Sequence, residues 1–307
     1  MSEQHGEPGA VSPDHLRVRG DGGRPVEYPP LPEPLAVGVY DNHTHLEIAD
    51  GALPLDVHEH LERAASVGVI GAVQVGTDVA TSRWSAEVAA REPRLLAAVA
   101  LHPNEAPELE AAGTLDEALA VIDELAARPR VRAVGETGLD FFRTGDDGRP
   151  AQFRSFEAHI EIAKRHGIAM QIHDRDAHDD VVATLRRVGA PERTVFHCFS
   201  GGEELARLAA SEGWYLSFAG NVSFKNAEIL REALRVAPRD RILVETDAPY
   251  LTPVPLRGRP NAPYLVPHTV RFMAGVLGVP IDELSADLAS NTRRVYGAWE
   301  DDARVGE

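Results

Sequence analysis

The sequence places two histidines one residue apart at the end of an apolar run. His43 and His45 lie in "DNHTHLE", which overlaps the end of "LAVGVYDNHTH". If this run forms a β-strand, residues i and i+2 point to the same face, and both imidazoles can bind one metal ion. Taken alone, the pair fits a metal site and two structural polar residues at a strand end about equally well.

A second pair with the same spacing, His58 and His60 in "VHEH", lies in a stretch with helical periodicity. Residues i and i+2 of a helix point about 200° apart, so this pair cannot bind one ion. We therefore expect both histidines to lie on the surface, without a role in metal binding.

Four other apolar runs also end in a residue that can bind a metal. These residues are Glu136 in "AVGETGLD", His173 in "MQIHDRD", His197 in "VFHCFSGG" and Asp247 in "LVETDAPY". Four histidines and two carboxylates that meet without a cation would be difficult to satisfy with hydrogen bonds among themselves. The whole set therefore predicts a metal centre.

Six protein ligands exceed the number that one ion normally takes, so we expect two divalent ions, with Glu136 bridging them through its two oxygens. The other ligands divide into two sets, His43, His45 and Asp247 on one ion and His173 and His197 on the other. Imidazole and carboxylate together accept Zn or Mn as well as Fe or Ni, whereas Mg prefers more oxygen ligands. The choice among Mg, Mn and Zn stays open.

These residues need a fold that brings the ends of many strands together. Eight short apolar or β-branched runs alternate with amphipathic stretches, which predicts a parallel sheet covered on both faces. The first three runs end at His45, Gly76 and His102, a spacing that accommodates one strand, one helix and two loops. We predict an α/β fold of the (β/α)₈ TIM-barrel type, with the metal site at the C-terminal ends of the strands. An open doubly wound sheet is the alternative, although no GxGxxG motif follows the first run.

The chain divides into three segments by composition. Residues 1–36 are rich in Gly, Pro and charge, and predict a flexible tail that ends in a stiff piece, "YPPLPEP". Residues 37–300 are predicted to form the barrel that carries the metal site, and residues 301–307 a frayed end.

Composition limits the partners and the compartment. The 307 residues carry a formal net charge of −17, so contact with nucleic acid should be local and transient rather than spread over a basic face. The single cysteine excludes an intramolecular disulfide and suits the cytoplasm. No secretory signal is evident, and no apolar stretch approaches the roughly 20 residues of a membrane span. We expect no membrane partner and no obligate protein partner.

Taken in order, the motifs resemble those of the TatD-type metal-dependent deoxyribonucleases. The motifs are "DNHTHLE", "ALHPNEA", "VGETGLDFFR", "QIHDRDA", "FHCFSGG", "GNVSFKNA" and "ETDAPYLTPVPLRGRPN". The resemblance covers about Asp41 to Tyr296 and implies an amidohydrolase-like barrel that hydrolyses nucleic-acid phosphodiesters with divalent metal. It implies the same six metal ligands. Asn42 and Glu47 depart from the usual first motif, but neither stands at a ligand position.

Four further residues are candidates around the metals. His102 in "LHPNE" could donate to a substrate phosphate, or pack beside Pro103. Ser200 in "FSGG" could offer its hydroxyl to an anion, or belong to a plain turn. Arg257, with other basic loop residues, could line a path for a phosphate backbone or be solvated. Glu245 is expected to orient a ligand histidine.

Together these features predict a hydrolase, a metal-dependent deoxyribonuclease that acts as a 3'-5' exonuclease on single strands or frayed ends of DNA. A hydroxide bound by both ions is the expected nucleophile, with Asp247 as general base. One alternative is an amidohydrolase acting on a small amide or ester, which is weakened because Glu136 stands where many such barrels carry a modified lysine. Another is a non-catalytic metal-binding or nucleic-acid-binding scaffold.

Overall fold

Eight parallel strands form one sheet, ordered in space as they occur in the chain. The structure, a computed structural model, describes residues 26–299. Residues 1–25 and 300–307, which fall almost wholly in the two predicted tails, lie outside the described residues. The strands are β1 (Val39–Thr44), β2 (Val69–Val75), β3 (Leu95–Val99), β4 (Val131–Asp140), β5 (Ala169–Arg175), β6 (Thr194–Phe196), β7 (Tyr215–Phe218) and β8 (Ile242–Val244).

The last strand returns to the first, and this contact closes the sheet. A parallel bridge pairs Thr44 with Ala248 just beyond β8. The N–H of His45 donates to the carbonyl of Ala248 at 2.8 Å, and the N–H of Asp247 donates to the carbonyl of His43 at 2.9 Å. The predicted (β/α)₈ TIM-type barrel is therefore confirmed, and the open doubly wound alternative is wrong.

Helices lie between successive strands and cover the outside of the barrel. They are α1 (Val57–Ser66), α2 (Val79–Ala89), α3 (Ala106–Ala112), α4 (Leu115–Ala126), α5 (Arg149–His166), α6 (His178–Val188), α7 (Glu203–Ser211), α8 (Glu228–Val236), α9 (Val266–Leu277) and α10 (Ile281–Tyr296). Within residues 26–299 no single helix is long and apolar enough to span a membrane, and the one helix pair that together meets that criterion is bent by 112°.

Alternate residues along each strand supply two separate cores. On β3, Leu95, Ala97 and Val99 belong to the large core between strands and helices, whereas Leu96 and Ala98 belong to the smaller core. This division follows from the alternation of side chains across a strand, which sends one set outward and the other into the barrel. The fully buried β3 therefore needs the near-continuous apolar sequence that it has.

Two aromatic residues near the C-terminus fill the barrel interior at the N-terminal ends of the strands. The ring of Trp299 stacks on Tyr40 with centroids 4.2 Å apart. The guanidinium of Arg130 donates to the carbonyl of Trp299 at 2.6 Å. The hydroxyl of Tyr296 accepts a hydrogen bond from the side-chain amide of Gln171 at 2.8 Å. This end of the barrel is packed with side chains, so the open mouth is at the other end.

Residues 26–36, the N-terminal strap, lie against the barrel. Arg259 donates to the backbone carbonyl of Glu27 at 3.0 and 3.2 Å. The buried hydroxyl of Tyr264 donates to the carbonyl of Pro29 at 2.6 Å. The stiff piece "YPPLPEP" predicted for the end of the tail lies within this strap. Polar side chains of the barrel hold the strap through its backbone, which its own side-chain composition does not reveal.

We expect Arg259→Ala to lower the free energy of unfolding by about 1–2 kcal/mol, because it removes a charged donor from the strap carbonyls of Glu27 and Tyr28. Urea unfolding measures the change. The exposed Arg83→Ala on α2 is the control and should change stability by less than about 0.5 kcal/mol. Equal, small changes in both variants would mean that the strap contributes nothing measurable to the fold.

Candidate metal centre

The structure brings all six predicted ligands together at the C-terminal mouth of the barrel. Their ligand atoms form overlapping groups in which all atoms lie within 4.8 Å of one another. The groups are His43 with His45 and Glu136, His43 with His197 and Asp247, and His102 with Glu136 and His173. Each of these residues lies in the C-terminal half of its strand or just beyond the strand's end, where parallel strands come together at the mouth.

Glu136 lies at the centre of the cluster. Its Oε2 is 2.8 Å from Nε2 of His197 and 3.2 Å from Nδ1 of His173. Its Oε1 is 3.6 Å from Nε2 of His45. The two carboxylate oxygens therefore face different histidines, which is the arrangement that a bridging ligand requires.

Two glycines of β4 allow Glu136 to reach this position. A Cβ at Gly135 would lie 2.5 Å from the Cβ of Gln171, and a Cβ at Gly138 would lie 2.1 Å from the carbonyl of His173. Gly138 also has a φ of +143°, which L side chains rarely adopt. The close approach of β4 to β5 at both glycines brings Glu136 beside His173.

The histidines of β1 and the carboxylate beyond β8 form the other side of the cluster. The Nε2 atoms of His43 and His45 lie 3.2 Å apart. Oδ1 of Asp247 lies 3.7 Å from Nε2 of His45. Asp247, three residues beyond the end of β8, has a φ of +54°, a left-handed conformation that Asp tolerates better than most residues.

His102 lies beside the ligand cluster. It stays a candidate for binding a substrate phosphate, and it also belongs to a group of potential ligands with Glu136 and His173. Its ring centroid is 4.5 Å from that of His173, and its Nδ1 accepts the N–H of Asn104 at 3.1 Å. This contact directs Nδ1 to the backbone and leaves Nε2 as the ring nitrogen that can bind a metal ion in the cluster.

The charges in the cluster favour a cation at its centre. Burial alone would lower the pKa of His45, but Glu47, Glu136 and Asp247 raise that pKa to about 9. The carboxylates of Glu136 and Glu245 likewise hold the pKa of His197 well above its usual value despite burial. Burial opposes ionisation of Glu136, yet its histidine neighbours hold its pKa well below the usual range. Positive charge is thus stabilised where the carboxylates meet, and a divalent ion with imidazole and carboxylate ligands fits this donor set.

The pKa of Asp247 moves the other way. Burial raises the pKa of this carboxyl to about 7, although His197 and His45 partly lower it. A cation bound by this carboxylate would lower that pKa again and keep the group ionised, which is the form that binds a metal and accepts a proton.

Outer residues orient the ligand histidines. Oε1 of Glu245 lies 3.2 Å from Nδ1 of His197, the contact that the sequence suggested for an orienting residue. The Nδ1 of His45 lies 3.0 Å from the carbonyl of Val75 and 3.5 Å from Oε1 of Glu47. Such partners fix the ring orientation of a ligand histidine and its tautomer.

Sequence reasoning missed two carboxylates of this outer set. Oδ2 of Asp140 lies 3.2 Å from Nε2 of His173. The carboxylate of Asp41 accepts the N–H of Thr246 at 2.8 Å and that of His43 at 3.3 Å. A signal was available, because each lies two or four residues from a predicted ligand on the same strand and so shares its face.

Two candidates for substrate contact lie farther out. Ser200 is exposed and lies two residues before the N-cap of α7. Its hydroxyl donates to the carbonyl of Asp174 at 2.9 Å. The guanidinium of Arg257 lies over the ring of Phe224 at 3.8 Å. Their roles in substrate binding stay predictions.

The two histidines of the second pair lie on different faces of α1, as helix geometry requires, but only one of them takes the predicted surface position. His58 is exposed, as predicted, whereas the prediction of a surface position is wrong for His60, which is 5% exposed. The buried residues of α1 are Val57, His60, Leu61 and Ala64. His60 occupies the i+3 position of this buried stripe, and its ring packs edge-on against Tyr28 of the strap, with centroids 5.8 Å apart.

We expect Glu136→Gln to lower both bound metal and hydrolytic activity by more than about 100-fold. Residues that only orient metal ligands already contribute about 10- to 100-fold, and a carboxylate that binds the metal directly should contribute more. Metal content per chain and initial rates measure the effect, and circular dichroism checks the fold. The exposed Glu117→Gln on α4 is the matched control. Activity within a few-fold of wild type at saturating metal would exclude a bridging role.

We expect the four histidine variants to fall into three classes. His43→Ala and His45→Ala should lose metal, and His58→Ala should change neither metal content nor stability. His60→Ala should keep its metal but lose about 1–3 kcal/mol of stability through the cavity it leaves. Metal analysis and urea unfolding measure both properties. Metal loss in His58→Ala would contradict the assignment of the two pairs.

Comparisons with known proteins agree with the site. The model of the TatD related DNase family matches residues 40–297. A metal-dependent hydrolase of Mycobacterium tuberculosis, TatD, named as uncharacterized, is 45% identical over 262 residues, which cover 84% of this chain and 97% of that protein. A protein of Erwinia billingiae named 3'-5' ssDNA/RNA exonuclease TatD is 33% identical, and the match covers 78% of this chain and 93% of that protein.

A solved structure supports the same conclusion. The crystal structure of the TatD homologue YjjV of Escherichia coli superposes with a TM-score of 0.74 at 27% identity, covering 85% of this chain and 98% of that chain. The resemblance stated from the motifs is thereby confirmed, and the names of the relatives together with the ligand cluster support the use of metal. The chain belongs to the TatD family of metal-dependent hydrolases.

Proposed function

We propose that this protein is a deoxyribonuclease that hydrolyses phosphodiester bonds from the 3' end and prefers single strands. The observation that carries the proposal is Glu136, whose two carboxylate oxygens face His45 on one side and His173 and His197 on the other. A carboxylate shared between two sets of imidazoles suits two ions, and two-ion sites are common in nucleases and phosphatases.

The ions, when bound, would supply a hydroxide nucleophile at neutral pH and offset the negative charge that develops on the phosphate. His43, His45, His173 and His197 would hold them with Glu136 and Asp247, and His102 is an additional candidate ligand beside His173. Mn and Zn fit this mixed set better than Mg, which prefers oxygen ligands.

Asp247 is the residue that we assign to proton transfer. Its carboxylate lies at the mouth, with Oδ1 3.7 Å from Nε2 of His45. In this role Oδ1 or Oδ2 accepts the proton released during attack on phosphorus and returns it to the leaving oxygen. The carbonyl of Val75 fixes the ring of His45 through Nδ1, and His45 in turn maintains the position of Asp247.

The choice of DNA and of a 3' end rests on the relative from Erwinia billingiae that is named a 3'-5' ssDNA/RNA exonuclease. The net charge of −17 fits a short contact with a strand end better than a long contact with a duplex. Arg257 and Ser200 are proposed to contact the phosphate backbone. The encounter is transient, takes place in the cytoplasm, and requires no membrane and no permanent protein partner.

We expect single-stranded DNA to be cleaved more than about tenfold faster than a blunt duplex, and closed circular duplex not at all, because only a flexible end reaches a site inside a barrel mouth. Initial rates at one salt concentration, with Mn, Zn or Mg and with chelator, test this. A panel of esters and amides is run in parallel.

The outcomes separate the alternatives. Cleavage of the closed circle as fast as the single strand would indicate an endonuclease. Hydrolysis of an ester or amide without cleavage of any oligonucleotide would identify a small-molecule amidohydrolase. Retained metal without any hydrolysis would indicate a non-catalytic scaffold.

A further inference from the structure

Two aromatic side chains remain exposed beside the candidate metal centre. Phe142 is 63% exposed and Tyr250 is 40% exposed. Among residues 26–299, the other large apolar side chains with comparable exposure are all aliphatic: Leu31, Leu53, Ile70, Ile229, Val254 and Ile281. Both exposed aromatic residues lie in loops that follow the C-terminal ends of strands next to the ligand cluster, Phe142 after β4 and Tyr250 after β8.

The two rings belong to loops on opposite sides of the barrel mouth. Phe142 follows the end of β4 by two residues, and that strand carries Glu136. The N–H of Tyr250 donates to the carbonyl of Asp247 at 2.8 Å, and its ring centroid is 6.5 Å from that of His45. In a closed ring of eight strands, β4 and β8 lie half a turn apart. A strand of nucleic acid crossing the mouth between them passes over the ligand cluster.

One of the rings is paired with a cation. The guanidinium of Arg175 lies over Phe142, 4.0 Å from its centroid, and the N–H of Phe141 fixes this register by donating to the carbonyl of Arg175 at 2.9 Å. The guanidinium covers one face of the ring, and the exposed fraction of Phe142 leaves room for a second flat group. Stacking of bases on aromatic rings beside a positive charge is how proteins hold single strands without reading sequence.

We propose that Phe142, backed by Arg175, and Tyr250 are stacking platforms for the two nucleobases on either side of the cleaved phosphate. This inference rests on the proposed function and specifies the substrate further as a strand with unpaired bases. Bases in a duplex are already stacked and paired, so only a single strand or a frayed end can use both rings. The platforms thus supply a source of strand selectivity that is separate from the depth of the metal centre.

The experiment compares a single-stranded oligonucleotide with one whose two 3'-terminal residues lack their bases. We expect Phe142→Ala to raise KM for the normal oligonucleotide about tenfold or more, leave KM for the abasic one unchanged, and change kcat little. Phe142→Trp should retain the wild-type values. Ile70→Ala, an exposed apolar residue near the N-terminal end of β2, is the matched control and should behave as wild type with both substrates. Tyr250→Ala and Tyr250→Phe test the second platform in the same way.

A binding measurement keeps the test independent of catalysis. An oligonucleotide with 2-aminopurine next to its 3' end and a cleavage-resistant phosphorothioate linkage should lose fluorescence on binding wild type and Phe142→Trp, but not Phe142→Ala. Equal KM values for normal and abasic ends in the wild type, or quenching unchanged in Phe142→Ala, would overturn the platform while leaving the nuclease proposal intact. If no oligonucleotide is cleaved, the nuclease proposal fails, and the absence of quenching in the wild type would reject the platform as well.

Discussion

The candidate site depends on the closure of the barrel between β1 and β8. The ligands His43 and His45 come from the first strand, and Asp247 comes from the far end of the chain, so their meeting requires the seam to close. The buried carboxylate of Asp41 joins the two sides, because it accepts hydrogen bonds from Thr246 beyond β8 and from the backbone of His43. Asp41 is fully buried, so these hydrogen bonds are formed in a dehydrated region where they contribute most.

A second constraint is the balance of charge inside the mouth. Glu136, Glu245 and Asp247 are all buried or nearly so, and such carboxylates are costly unless compensating positive charge or hydrogen bonds are close. The histidines provide this compensation, which is why the pKa values of His45 and His197 rise while that of Glu136 falls. The same balance that stabilises the fold without a cation makes the centre a good host for one.

The sequence was most informative where one physical rule covers many residues. In a parallel barrel all strand ends meet at one rim, so polar residues at the ends of apolar runs could be gathered into one cluster without knowing any coordinates. It was least informative where burial depends on a distant partner. His60 is buried because the strap brings Tyr28 onto α1, and the strap is held by side chains more than two hundred residues away, such as Arg259. The ligand-like position of His102 likewise depends on a contact of its Nδ1 with the backbone that no periodicity reveals.

The stacking of Trp299 on Tyr40 has a consequence for how the protein is made. Tyr40 lies in the first strand and Trp299 follows α10, so the barrel interior gains this side chain only after all eight strands have been synthesised. During synthesis the early strands can pair and pack against their helices, but β1 has neither its closing neighbour nor this aromatic side chain until β8 and the residues after α10 have left the ribosome. Until then the nascent sheet has two open edges, the state in which a chaperone has most to protect.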